Sequence, residues 1–273
     1  MPKSVLKKNL ITFIKREGID LRTNTNAKGN LGLFKENRID IHKKLTDEQF
    51  IEVLLHEYAH LIHNELESNM PRNGGSLEVL FDTNEVDTIK NELIAVSNLV
   101  DENSKLLKFD SKKYAYKIKI KSYENLIKND YPNFLRTKPF KEFEKYIKNS
   151  DARFLLKYDK VKILTPFLRK EKIYSIDTIE KDFPKMPKAF ALYIRICSLT
   201  RKARNIQTRK CKLKKYYEKP SELFARFVQG LYIYENDIKI LAPTAYSRFI
   251  ELTKNNYYGA LKKVIAIINE NRI

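Results

Sequence analysis

The sequence predicts a mostly helical α+β fold, and three observations carry that prediction. Apolar residues recur at helical spacing along most of the chain, as in Leu6, Leu10, Ile11 and Ile14, or Phe50, Ile51, Leu54, Leu55 and Tyr58. Strand-like alternation is confined to short stretches, clearest around Ile39 and Ile41. No internal repeat or low-complexity linker interrupts the 273 residues, and 42% of them are hydrophobic, ample for a sizeable core and too many for a disordered chain. Composition excludes other classes. No stretch reaches the ~18 uncharged apolar residues of a membrane span, and Met1 to Leu10 lacks the apolar run of a secretory signal. Cys197 and Cys211 are the only cysteines, too few for a disulfide framework or a Cys-rich zinc finger. A reducing, cytoplasmic setting without a membrane partner is the expectation.

Taken in order, residues 4–17 read as a helix ending before Gly18, and 19–30, polar and rich in Asn, Thr and Gly, as a loop. Leu31 to Glu36 and Asn37 to His42 read as two strands turning at Glu36-Asn37. Thr46-Asp47-Glu48-Gln49 has the form of a capping box, so a helix follows, apolar around most of its circumference and therefore central. Met70 to Ser76 reads as a loop, and Asn84 as the cap of a helix through Val100. Tyr114 to Ile120 alternates like a strand but equally fits a helix through Ile127. Phe134 to Ile147 reads as a helix, Leu155 to Leu164 as one or two strands and Ala189 to Arg204 as a helix. Three helices close the chain, at about 220–234, 243–254 and 256–271.

The formal charge is +19, and it is unevenly placed. Residues 104–218 hold 32 Lys+Arg against 12 Asp+Glu, whereas 61–103 hold 2 against 9. The basic segment interleaves cations with aromatics, densest at Arg209-Lys210-Cys211-Lys212-Leu213-Lys214-Lys215-Tyr216. Such a surface attracts polyanions, which makes non-specific nucleic acid a candidate partner, though no sequence-reading motif accompanies it.

All four histidines lie between positions 42 and 63, and His56-Glu57-Tyr58-Ala59-His60 is the H-E-x-x-H pattern. On a helix, His56 and His60 share a face one turn apart and can grip one Zn²⁺. Glu57 is rotated by ~100° from His56 and is placed to act as general base on a zinc-activated water. His63 stands about 10 Å along the helix from His56, too far to share that ion, and is expected to pair with a carboxylate or face solvent. His42, in the second strand, is expected to be structural or to contact the substrate cleft. The edge at 37–42 is a candidate for binding extended peptide by strand addition.

A catalytic zinc site needs a third protein ligand, and two carboxylates compete for the role. Glu92 stands in Asn91-Glu92-Leu93-Ile94-Ala95, and Glu222 in Pro220-Ser221-Glu222-Leu223-Phe224-Ala225-Arg226, where Pro220 suits a first helical turn. An alternative use for Glu222 is interaction with its own helix dipole, or pairing with Arg226.

His56-Glu57-x-x-His60, a long insert, then Tyr216-Tyr217 and Pro220-Ser221-Glu222-Leu223-Phe224-Ala225-Arg226 together resemble the zincin-like metallopeptidase domains of large polyvalent proteins in phages and conjugative elements. Ser-Glu-x-Phe-Ala is similar, more distantly, to the glutamate-ligand helix of anthrax lethal factor. The resemblance covers two motifs; residues 104–210 match nothing in it. It implies a gluzincin fold with Glu222 as third ligand, an oxyanion-stabilising tyrosine for which Tyr216 and Tyr217 are candidates, and a mobile-element setting. The resulting expectation is a single zincin-like domain spanning 1–273: a strand and H-E-x-x-H half (1–103), a basic insert (104–218), and a third-ligand helix with C-terminal helices (219–273). Its expected activity is zinc-dependent hydrolysis of a protein or peptide substrate. The competing expectation is a nucleic-acid-associated accessory or anti-restriction protein that keeps the scaffold without needing proteolysis.

Overall fold

Leu6, Leu10 and Ile14, each four residues from the last, form the buried stripe of α1 (Lys3–Arg16). A computed structural model of the chain describes residues 3–67, 74–100, 105–136, 138–164 and 171–270. The segment after α1, expected as a loop, is instead strand β1 (Asp20–Thr25), in which only Leu21 is buried. It runs parallel to β3 (Arg38–His42), and β2 (Gly32–Lys35) pairs with β3 antiparallel, giving the order β1-β3-β2. Glu36, at φ 58°, makes the turn between β2 and β3. The 37–42 strand is therefore central. Its two sides are taken by β1 and β2, so it offers no edge for an extended peptide; the outer edges belong to β1 and β2.

The Thr46 hydroxyl accepts the Gln49 N–H at 3.3 Å, and the Gln49 side-chain oxygen accepts the Thr46 N–H at 3.2 Å, completing the expected capping box. That cap is worth about 1 kcal/mol and starts α2 (Asp47–Leu66), whose Phe50, Ile51, Leu54, Leu55, Tyr58, Ala59, Leu61 and Ile62 are all buried. The loop expected at 70–76 lies outside the described residues up to position 73. Beyond it a short helix that periodicity does not reveal, α3 (Leu77–Phe81), is capped by the Ser76 hydroxyl. Then α4 (Val86–Val100) begins two residues past Asn84, and the Thr83 hydroxyl accepts the Glu85 N–H.

Contacts divide the chain into two compact units, residues 1–103 with 213–273, and residues 104–212. In the second unit, α5 (Lys105–Asp130) settles the strand-or-helix ambiguity at 114–120 in favour of helix. A 3₁₀ turn at Phe134–Arg136 precedes α6 (Lys138–Lys148). Residues Asp151–Leu156 form another 3₁₀ turn, which takes Leu155 and Leu156 out of the expected strand. The strand begins later, as β4 (Lys160–Leu164), and pairs antiparallel with β5 (Glu171–Ser175). After α7 (Ile179–Asp182), helix α8 (Lys188–Tyr217) runs 30 residues, well beyond the Arg204 expected as its end. The core of this unit is aromatic: Phe143 lies 5.3 Å from Phe190 and 5.0 Å from Tyr193 between ring centroids. Asp159 ties the hairpin to α8, accepting from Ser198 and pairing with Lys202, each at 2.7 Å, and with Arg201.

The chain then returns to the first unit as α9 (Pro220–Ile233), with Pro220 in its opening turn as expected. Gly230 permits close approach there: a Cβ would lie 2.8 Å from Ile238 and 3.0 Å from Val100. α10 (Glu235–Leu241), α11 (Pro243–Lys254) and α12 (Leu261–Glu270) complete the unit. Phe81, Phe224, Phe227, Phe249 and Tyr258 stack edge and face around α9. The Tyr257 and Tyr258 hydroxyls donate to the carbonyls of Val79 and Leu80 at 2.6 Å, which anchors α3. α2 packs chiefly on α9, with the sheet on another side of α2. The architecture is mostly helical α+β, and among the described residues no helix is long and apolar enough to cross a membrane.

Candidate metal centre

Two packed helices of the first unit build the site. His56 and His60 stand one turn apart on α2, with ring centroids 4.9 Å apart, and Glu222 projects from the first turn of α9. Glu222 Oε2 lies 3.6 Å from His56 Nε2, and Oε1 lies 3.4 Å from His60 Nε2. One donor atom from each of the three residues falls within 4.8 Å of the others. Among the described residues this is the one grouping of three or more His, Cys, Asp or Glu that meets that spacing.

Those separations suit a shared cation. Ligands at ~2.0–2.1 Å from a tetrahedral zinc stand about 3.3 Å from one another, close to the 3.4 and 3.6 Å found here. Protonation also favours metal. Burial, then the neighbouring His56, push the His60 imidazole down to about 3 against the pull of Glu222, so it presents a lone pair. Burial alone would raise the Glu222 carboxyl, but hydrogen bonding with His56 outweighs it and holds it near 2. The site thus offers two imidazoles and a carboxylate. His56 Nδ1 is buried without a hydrogen-bond partner among the described residues.

Glu57, on α2 beside His56, is buried at 8% exposure. Its carboxyl is raised to about 7, chiefly by burial with the Glu222 charge adding, while the backbone N–H of Phe34 donates to it and opposes the rise. Gly32, in β2, is a site residue that sequence patterning missed. A Cβ there would stand 2.5 Å from Glu57 Oε1 and 2.6 Å from Val53 Cγ1, so only glycine lets β2 run this close to the carboxylate. The signal available in the sequence was a glycine at the start of a short strand, with nothing to connect it to position 57.

Tyr216 and Tyr217 part company. The Tyr216 hydroxyl donates to the Glu222 carboxylate, and burial with that negative charge raises its pKa, keeping it protonated. Tyr217 instead lies under the Arg226 guanidinium, 3.6 Å from its ring centroid.

The remaining candidates lie outside the cluster. Glu92 accepts the N–H groups of Thr244 at 3.2 Å and Ala245 at 2.8 Å, capping α11. His42 Nδ1 accepts the Lys44 N–H at 3.2 Å, a structural role. His63 is fully buried rather than solvent-facing, and its Nε2 lies 3.2 Å from Glu67 Oε2. The same Glu67 oxygen accepts the Ser76 N–H at 3.0 Å. Gly75 packs directly on the imidazole, where a Cβ would stand 2.3 Å from Nε2. The adjoining Gly74 carbonyl accepts the Ser221 N–H at 2.9 Å, so this loop reaches the residue before Glu222.

Compared with family models, curated proteins and solved structures, the chain matches none.

Proposed function

We propose that the protein is a zinc-dependent metallopeptidase of zincin type, acting on a protein or peptide substrate. The observation that carries this reading is the convergence of His56, His60 and Glu222, with donor atoms spaced as zinc ligands are and the H-E-x-x-H glutamate beside them. Zn²⁺ held there would polarise a scissile carbonyl and acidify a water. Glu57, tuned close to neutrality, takes a proton as general base and returns it to the departing amine. The buried position against Gly32 and Phe34 fixes that carboxylate and limits solvent around it. The Tyr216 hydroxyl is the donor suited to the carbonyl oxygen as it gains charge. The outer edge of β2, on the Glu57 side, replaces the 37–42 strand as the edge suited to an extended peptide.

Metal analysis and a fluorogenic peptide-library assay test the reading together. Purified protein is expected to hold one equivalent of zinc, and Glu222→Ala to lose it. Glu57→Gln is expected to keep the zinc while losing at least about 100-fold in hydrolysis. Full hydrolysis by Glu57→Gln, or undiminished zinc in Glu222→Ala, would overturn it.

A further inference from the structure

The second unit contains a cavity of about 850 Å³, at the large end of the ~300–1,000 Å³ typical of ligand sites. It is remote in sequence from the histidines, and every residue lining it lies between Glu124 and Asn205. Tyr131 and Tyr193, both partly exposed, bring aromatic rings to its wall, and the buried Phe134 backs them, centred 6.2 Å from Tyr131 and 5.6 Å from Tyr193. Its exposed cations are Lys128 and Arg204, which make no ion pair among the described residues. Arg201, also at the wall, is held by Asp159 and the Leu156 carbonyl, and among the described residues Glu124 is the only carboxylate there.

Charge complementarity selects the occupant. The second unit holds 30 Lys+Arg against 11 Asp+Glu, while the first holds 23 of each, so the whole +19 resides where the cavity is. A fatty acid would bring a single carboxylate to these cations and leave the tyrosine rings without a stacking partner. A duplex would bury the base faces that aromatic rings stack on. An unpaired nucleotide strand uses both features, bases on rings and phosphates on cations.

We propose that this cavity seats an unpaired base of single-stranded nucleic acid, with flanking phosphates on Lys128 and Arg204. The site is independent of the metal centre and of the reaction assigned to it. Cys197 lines the cavity, and the only other cysteine, Cys211, is exposed and outside its wall, so a thiol reports on occupancy.

The test uses the full chain carrying Cys211→Ser, with fluorescein-labelled 15-mers of mixed sequence as DNA, RNA and duplex DNA. Single strands are expected to bind more tightly than duplex, with affinity falling as salt rises by about 0.7 log units per tenfold salt for each phosphate neutralised. The DNA and RNA arms distinguish the two sources of strand. Arg204→Glu and Lys128→Glu are each expected to weaken binding about tenfold or more, and Lys172→Glu, an exposed charge on β5 outside the cavity, several-fold less. Tyr131→Ala, checked for folding by circular dichroism, is expected to weaken binding with little change in salt slope. Saturating single strand is expected to slow alkylation of Cys197 by N-ethylmaleimide at least fivefold. Equal binding of duplex, equal loss from Lys172→Glu, or unchanged Cys197 alkylation would overturn the assignment. So would protection of Cys197 by decanoate and not by the strand.

Discussion

Glu92 and Glu222 each spend a carboxylate on groups outside their own helix, and the difference between them is what they meet. Glu222 leaves the first turn of α9 opposite two imidazoles, whereas Glu92 leaves α4 opposite the two unbonded N–H groups that open α11. Sequence could name both and could not choose from residues alone, because the choice depends on which helix packs where. Glu92→Ala should therefore cost stability and not metal. Loss of the α11 cap predicts about 1–2 kcal/mol in denaturant unfolding, with zinc content unchanged; loss of zinc would return Glu92 to the ligand set. Gly32→Ala makes the opposite prediction. Its Cβ would displace the Glu57 carboxylate, so hydrolysis should fall at least tenfold while zinc stays bound. Glu57 also sets a pH dependence in the metal-free protein. Its carboxyl is raised from 4.5 to about 7, so the folded state holds the proton more tightly than the unfolded state does. The neutral form's advantage is complete below about 4.5 and is lost as pH rises to about 7, a difference of about 3 kcal/mol. Relative to Glu57→Gln, metal-free wild type should lose stability across that interval, and parallel pH–stability curves for the two would refute the assignment.

At the scale of elements, α2 does most of the organising, and it was also the most legible part of the chain. Its cap, its apolar periodicity and its histidine spacing all lie within twenty consecutive residues, so local rules suffice. β1 was not legible, because Asp20–Thr25 carries one buried residue and owes its strand conformation to the parallel ladder with β3. For the same reason the central place of β3 was hidden: a strand's neighbours are a property of the sheet. The helix of α5 was half-hidden, since among its described side chains Ile127 alone is buried and the alternating 114–120 stretch is largely exposed. His63 shows what pairing across elements adds. It holds Glu67, which holds the Ser76 N–H, and the neighbouring Gly74 carbonyl holds the start of α9. These contacts link α2 to the start of α9, one residue before Glu222. His63→Ala is expected to weaken zinc about tenfold, within the range for groups that orient ligands, with the helical content kept. His63→Gln, which can still donate to Glu67, should recover most of it in a chelator-competition titration. Equal zinc affinity in all three proteins would reduce His63 to a packing residue.

For the whole molecule, charge and core divide along the same line. One hydrophobic cluster draws only on residues 6–96 and 223–268, the other only on 127–194, and the described residues place no side chain in both. The acidic and basic groups balance in the first unit, and the second carries the full excess of +19. The sequence made the basic segment visible and placed its start, since composition shifts sharply near position 104. Its far end ran six residues past the structural boundary, because α8 continues from one unit into the other without a break in helical pattern. Like charges in one compact unit repel, and salt screens them over about 10 Å at 0.1 M. A ligand that binds only the folded metal site stabilises the unit holding it, by an amount set by its concentration relative to its dissociation constant. The two perturbations should therefore act on different parts of one calorimetric trace. Raising salt from 20 to about 300 mM should move one transition upward and leave the other nearly fixed, and excess zinc should raise the salt-insensitive one alone. In Glu222→Ala the zinc response should vanish while the salt response persists. A single transition answering to both would mean that the units unfold as one cooperative body, whatever their separate cores suggest.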